Sequence, residues 1–447
     1  MTAKKEVEEW INAHKVEAIE CLVPDIAGNA RGKFIPADRF IKQSMRMPEG
    51  ILTQSVTGEF PNDYWDLIET LDGDMHLRPD MSTARVLPWA KESAAQIIQD
   101  CYTGEGEVHP LSSRNILKHI LGLYEKKGME PIVAPEMEFY LVKRNTDPRA
   151  LLTPPVGRSG RIETARQSYS IDATNEFKPF VDTLYNYGKT MDLDIDMLIH
   201  ESGAAQFEIN FMHGSALAMA DQVFLFKRMV REAALQHDMH ATFMAKPMSD
   251  EPGSAKHIHQ SIVSTKRGNN LFASKNGKYS DDFYHYLGGL QTYSPACMSF
   301  YAPNVNSYRR FSAAESSPIN LLWGYDNRTT GFRVPDASPD NYRIENRCPG
   351  ADVNPYLSFA ATLASGYLGM QHKIKPTDAF EGNAYNSDVT FPRSLPEALD
   401  ALEASKEIKE LFGEKFISVF MAVKNLEFEQ FNQIITSWER EHLLLRV

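Results

Sequence analysis

The chain has 447 residues, 43% hydrophobic and 24% charged, with a formal net charge of −12. That size suits one large domain plus a smaller one, with a core that needs no cross-links. The acidic surplus excludes general nucleic-acid binding, and four scattered cysteines with no Cys-x-x-Cys pair exclude a disulfide framework or a zinc ribbon.

Residues 4–15 predict an amphipathic helix, and the first ten residues hold no apolar signal core. Residues 18–24 and 31–35 predict two strands joined by the turn chemistry of 25–29, a hairpin. Residues 75–89 read as extended, with Pro79 and Pro88 as punctuation. The first stretch of about 100 residues therefore predicts a small sheet-rich domain, and 102–107 is the linker candidate. A helix is expected over 113–127, with Ser112 or Ser113 as N-cap and Gly128 as C-cap. Further helices are expected over 175–191, 217–237, 283–300 and 354–372, and over 395–445 with a break near Gly413. Strands are expected over 132–141, 242–247 and 257–263. The apolar run 353–370 carries Asn354, Pro355, Ser358, Thr362 and Ser365, so it reads as a buried helix and not a membrane span. A cytoplasmic setting is expected.

Four short stretches alternate polar and apolar residues. They are Glu136-Met137-Glu138-Phe139, Gln206-Phe207-Glu208-Ile209-Asn210, His257-Ile258-His259-Gln260-Ser261 and Arg343-Ile344-Glu345-Asn346-Arg347. Residues i and i+2 of a strand share a face. Each stretch thus gathers carboxylates, imidazoles or guanidiniums on one side. Glu136, Glu138, Glu201, Glu208, Glu345 and His257 supply enough oxygen and imidazole ligands for two hard cations such as Mg²⁺ or Mn²⁺. Any one of these acids alone is more often a solvated strand residue. The set on four polar-faced strands is what favours a site.

Arg310, Arg328, Arg333, Arg343 and Arg347 fall within 38 residues. Their planar forks match carboxylate and phosphate oxygens. The first three functional expectations are a neutralised phosphoryl group, a bound carboxylate and, with His259 and Ser261, a nucleotide. No Gly-x-x-x-x-Gly-Lys-Ser/Thr loop, Gly-x-Gly-x-x-Gly turn or Gly-x-Ser-x-Gly elbow competes. The residues alone point to a two-metal, ATP-using phosphoryl transfer onto an acid substrate.

Lys246-Pro247-Met248 and Pro252-Gly253-Ser254-Ala255-Lys256-His257 resemble the nucleotide-binding signature of the glutamine synthetase family. Pro135 to Phe139, Asn306 to Arg310, Asn327-Arg328, Phe332 to Pro335 and the run from Arg343 to Tyr356 resemble the same family. The resemblance spans nearly the whole chain. It implies an α+β protein with a small N-terminal β-grasp domain, residues 1–104 with a leading helix. A large catalytic domain with a curved antiparallel sheet, residues 105–447, would follow. It implies Glu138, Glu201 and Glu208 on one metal, Mg²⁺ or Mn²⁺, and Glu136, His257 and Glu345 on the other. His259, Ser261, Arg333 and Arg343 match nucleotide positions. Gly253, Arg310 and Arg347 match glutamate positions, with Arg328 catalytic between glutamate and phosphate. The implied partners are L-glutamate, ATP and an amine or ammonia, in a homo-oligomer of two stacked six-membered rings.

Ammonia-using members carry an acid in an Asp-Gly-Ser-Ser segment and a flap glutamate near a proline. Here the first stretch reads Leu52-Thr53-Gln54-Ser55, and the flap position falls on Ser316, with Glu315 one residue earlier as the substitute. Residues 166–172, 302–311 and 423–425 are similar to bacterial γ-glutamylpolyamine synthetases. That implies a larger amine such as putrescine or spermidine, positioned by its own chain. Glu59, Asp63 and Asp66 are candidate partners for its ammonium groups. Tyr385 lies near a loop tyrosine that is nucleotidylated in some relatives, but its neighbours differ, which favours an ordinary loop residue.

Overall fold

The hairpin expected near the N-terminus pairs a buried strand with a largely exposed one. In a computed structural model, which describes residues 2–42, 44–68, 73–164, 166–312 and 317–447, it comprises β1 (Ala18–Pro24) and β2 (Ala30–Pro36). Gly28 in its turn has a φ of +83° and no room for a Cβ, which would lie 2.9 Å from the Cα of Asn354. Strands β3 (Met45–Pro48), β4 (Asp74–Pro79), β5 (Arg85–Val86) and β6 (Ala94–Tyr102) complete a six-stranded sheet. Its order is β2-β1-β6-β4-β3, with β5 paired to β6. β1 and β6 run parallel and are buried along most of their length, as strands covered on both faces are. The leading helix Thr2–His14 buries Val7 and Ile11.

One expectation changes here, and the linker candidate takes a defined form. The stretch 75–89 is interrupted by a 3₁₀ turn, Met81–Thr83, because the Asp80 side chain accepts from Ser82 N at 3.1 Å and caps it. The segment 102–107 is a closed turn. Thr103 N donates to Glu107 O at 2.8 Å and Gly106 N to Thr103 O at 2.9 Å, and Tyr102 bridges to Val108.

The second sheet has nine strands. They are β7 (Met129–Lys143), β8 (Ile195–His200), β9 (Gln206–Phe211), β10 (Gly214–Ser215), β11 (Met239–Thr242), β12 (Lys256–Ser264), β13 (Trp323–Tyr325), β14 (Phe332–Val334) and β15 (Ile344–Asn346). The order is β13-β14-β15-β12-β7-β9-β8, with β10 and β11 also on β7. Apart from the parallel pair β13–β14, its pairings among the described residues are antiparallel. The apolar side of β7 buries Met137, Phe139 and Leu141. The Phe139 ring lies 5.6 to 6.3 Å from those of Phe180, Phe207, Phe226 and Phe243. Helices Ser113–Glu125 and Ala216–Gln236 pack on this strand.

Helices Asp281–Tyr301 and Pro355–His372 lie against each other at backbone distance through Gly289 and Gly369. The second is buried along nearly its whole length. Its first turn is capped by Asn354, whose Oδ1 accepts from Tyr356 N, while its Nδ2 donates to Asp25 O and Ile26 O of the hairpin turn. Among the described residues no helix is long and apolar enough to cross a membrane. All four cysteines are buried and unbonded.

Three further expectations shift. Pairing to β7 covers Met239–Thr242, and the chain leaves the sheet after Thr242. Residues 243–247 turn away, with Ala245 O accepting from Ser254 N and Lys246 N donating to Asn306 Oδ1. The helix expected over 175–191 divides at Phe177 into Ile171–Glu176 and Lys178–Thr190, with Pro179 opening the second part. The C-terminal stretch breaks at Ser405, at Gly413 (φ +91°) and after Asn432.

Candidate active site

The register of the nine-stranded sheet places the polar residues. Glu136 of β7 stands opposite His257 of β12 and Asn210 of β9, and Glu138 stands opposite Glu208. His259 of β12 faces Glu345 of β15, and Glu345 faces Arg333 of β14. Directly paired residues share a face and have Cβ atoms about 5 Å apart. One side of the sheet therefore carries the row Arg333, Glu345, His259 beside the carboxylates of β7 and β9. The opposite side of β12 is also polar, a signal absent from the sequence reading. Buried Lys256 donates to Ser358 Oγ at 2.7 Å, and Gln260 bonds Thr362 and Tyr286.

The face carrying this row borders a cavity of about 460 Å³, whose wall includes Glu136, Glu138, Glu201, Glu208, His257, Arg328 and Arg333, while Glu345 and His259 lie outside its lining. Two ligand groups form with their donor atoms within 4.8 Å of one another. One is Glu136, His257 and Glu345, and the other is Glu138, Glu208 and His257. Glu201 lines the same cavity without joining either group. Carboxylate oxygens with one imidazole suit a hard divalent cation.

Charge on the bare protein is distributed accordingly. Burial alone would raise the Glu136 carboxyl, but hydrogen bonds from His257 and His259 hold it well below the usual carboxylate range. Those bonds run from His257 Nδ1 at 3.1 Å and His259 Nε2 at 2.9 Å. Arg343 Nε donates to His259 Nδ1 at 3.2 Å, which fixes the His259 tautomer. Glu345 is buried, a condition that would raise it, yet Arg347 and the two histidines bring it down to about 2. Arg333 donates to its Oε2 at 2.7 Å. Glu138 behaves oppositely. Burial and the neighbouring Glu201 push it up to about 8, although Ala255 N donates to it at 2.8 Å. Burial and repulsion from Glu136, Glu138 and Glu201 push Glu208 up as well. Acids crowded without a counter-ion are what a pair of cations would relieve.

The arginines take different stations. Arg310 is buried and donates to Cys348 O and Arg347 O, both at 2.8 Å. Gly253 presses against it, since a Cβ there would lie 2.5 Å from Arg310 Cγ. Arg347 binds Glu345. Arg328 lines the cavity and forms no ion pair or hydrogen bond among the described residues. Ser261 follows His259 on the same face of β12. Tyr385 stands in the cavity wall near Arg347 and Arg310, half-buried. Glu315 and Ser316 lie outside the described residues.

Thr53 is buried, its hydroxyl donating to Gly50 O at 2.9 Å. The segment after it is held by the chain's own helix Glu414–Asn432. Glu427 accepts from Val56 N at 2.8 Å, and Gln430 donates to Glu59.

Residues 110–443 match the family described as glutamine synthetase, catalytic domain. The chain is 32% identical to γ-glutamylputrescine synthetase PuuA of Escherichia coli, over 98% of this chain and 94% of that one. It is also 32% identical to glutamate–isopropylamine ligase of a Pseudomonas species, over 97% and 96%. A glutamine synthetase of Pyrococcus abyssi is 33% identical over 95% and 92%. Among solved structures, a GmaS–ADP complex superposes with a TM-score of 0.84 at 28% identity, covering 98% of this chain and 99% of that one. Family match, near-complete relatives and a sheet that gathers two ligand groups with an arginine wall agree: the chain belongs to the glutamine synthetase family.

Proposed function

We propose that this protein is an ATP-dependent glutamate ligase that joins the γ-carboxylate of L-glutamate to an amine larger than ammonia. The observation that carries the ligase reading is the single cavity in which two carboxylate-rich ligand groups face Arg328, Arg333 and Arg347. In this reading a γ-carboxylate oxygen of glutamate attacks the terminal phosphorus of ATP, and ADP leaves. The amine nitrogen then attacks the acyl carbon of γ-glutamyl phosphate and phosphate departs. Glu138, Glu201 and Glu208 would hold one Mg²⁺ or Mn²⁺ and Glu136, His257 and Glu345 the other. Bound there, the ions polarise the phosphoryl oxygens. Arg328 forms no ion pair among the described residues, so its charge is available to the transferring group, where catalysis is mostly positioning and charge stabilisation. Arg333 and Arg343, with His259 and Ser261, serve the nucleotide. Arg310 and Arg347, with Gly253, shape the glutamate end. Glu315, one residue before the flap position in the sequence, is read as the acid for the amine proton.

Overall identity does not separate amine ligases from glutamine synthetases, since both classes of relative lie at 32–33%. The preference for an amine rests on the stretch Leu52-Thr53-Gln54-Ser55, which holds no acid where ammonia-using members carry one. A small ammonium ion needs close carboxylates to shed its water and proton, whereas a longer amine draws on remote contacts. We read residues 1–104 as the small domain and 105–447 as the catalytic one, in a cytoplasmic dodecamer. Phosphate release with glutamate and ATP, measured against ammonia, putrescine, spermidine, cadaverine and isopropylamine, tests the proposal. A rate with an amine at least tenfold that with ammonia is expected. Full activity with ammonia alone overturns the amine reading and leaves the ligase reading standing.

A further inference from the structure

Asn210 sits on β9 two residues past Glu208 and directly opposite Glu136. Residues two apart on a strand share a face, as do direct cross-strand partners. Its amide therefore stands among Glu136, Glu208 and His257, and all four line the cavity. Its Oδ1 is buried and has no hydrogen-bond partner among the described residues. Folded proteins seldom leave such an acceptor without a donor. Its cross-strand partner Glu136 accepts from His257 and His259 and offers it no donor. His257 and His259 turn to Glu136 and Arg333 to Glu345, while Arg347 gives one N–H to Glu345 and keeps its Nε without a partner among the described residues, none of these bonds reaching Asn210. What suits a buried carbonyl oxygen in acid surroundings is a cation, or a water polarised by one. Amide carbonyls are ordinary ligands of hard divalent ions.

We propose that Asn210 Oδ1 is a further oxygen ligand, directly or through one bound water, of the cation held by Glu136, His257 and Glu345. The inference rests on reading those three residues as a metal site. A neutral ligand completes the shell without adding another negative charge to acids that already repel one another. It also explains why an amide and not an alkyl group ends the polar face of β9.

Mn²⁺ binding to the full chain without nucleotide, followed by electron paramagnetic resonance and calorimetry, tests it. Wild type is expected to bind two Mn²⁺ per chain. Asn210→Leu should weaken one site by roughly 10- to 100-fold, the range for lost supporting groups around a metal, while Asn210→Asp should bind at least as tightly as wild type. Unchanged affinities in Asn210→Leu overturn the proposal. So does Asn210→Asp weakening a site as much as Asn210→Leu, because the amide would then act as a donor. If wild type itself binds no Mn²⁺, the metal reading fails, and the proposal with it. Circular dichroism and thermal unfolding of the metal-free variants separate ligand loss from misfolding. Should Asn210→Leu fail to fold, Asn210→Ala carries the same two outcomes.

Discussion

Glu138 and Glu208 face each other across β7 and β9. The carboxyl of Glu138 titrates at about 8 instead of 4.5, through burial and the charge of Glu201. The metal-free fold therefore holds more protons than the unfolded chain between those values. Stability falls wherever the folded state binds more protons and pH rises. His257, held below 6.5 by burial and Arg347, acts in the other direction, but only below about that pH. Buried Lys227, brought down to about 7, acts oppositely through the same window, so the acid site is isolated by adding metal: Mg²⁺ should raise the thermal midpoint of chelator-treated protein more at pH 8 than at pH 6.5. An equal Mg²⁺ increment at the two pH values in differential scanning calorimetry would count against a crowded acid site. The acids themselves were legible in the sequence because alternation in a strand is a local property. Which of them meet is set by register between strands far apart in the chain, so the sharing of His257 by two groups was not. Nor was Asn210, whose significance lies in an orphaned oxygen that no spacing rule exposes.

Gly369 and Gly289 belong to two long helices that touch through their backbones. A Cβ on Gly369 would lie 2.2 Å from His285 O and 2.6 Å from the Cα of Gly289. Backbone cannot yield as a side chain does, so Gly369→Ala should destabilise by roughly 1 to 3 kcal/mol, the usual range for overpacking. Urea unfolding measures it, and a change under 0.5 kcal/mol, about the spread of neutral surface substitutions, would mean that the helices separate freely. Both helices were visible in the sequence as apolar runs with an Asn-Pro start for the second. Their mutual approach was not, because a glycine inside a helix reads locally as a weakness. The same limit explains β11. Met-Ala-Lys-Pro has strand-like residues, yet the hydrogen bonds that decide its path go to Ser254 and Asn306. Phe177 divides an apparently continuous helix through its own backbone angle, φ −112°.

Arg114 ties the two sheets into one body. Its buried guanidinium reaches Asp80 and Asp100 of the first sheet region and, through Nε and NH2, the two oxygens of Asp221 on the helix Ala216–Gln236. Asp221 also accepts from Tyr356 at 2.7 Å. Removing one member of a buried charge network leaves the others uncompensated, so Arg114→Met should cost about 3 to 5 kcal/mol. Replacing Arg114 together with Asp221 by apolar residues should cost less than the single change. Equal losses in chemical denaturation would deny that coupling. The sequence showed a small sheet followed by a larger one but not this joint, since Arg114 reads there as an ordinary residue in the first turn of a helix. Asn354 makes a second joint, capping the long buried helix with one end of its amide and holding the N-terminal turn with the other. A gene fragment starting after the first sheet would thus encode a helix with only half of its cap satisfied and Arg114 facing missing acids. The two halves are coupled through these joints, and a chain that lacks the first sheet is expected to be cut by protease faster than the full chain.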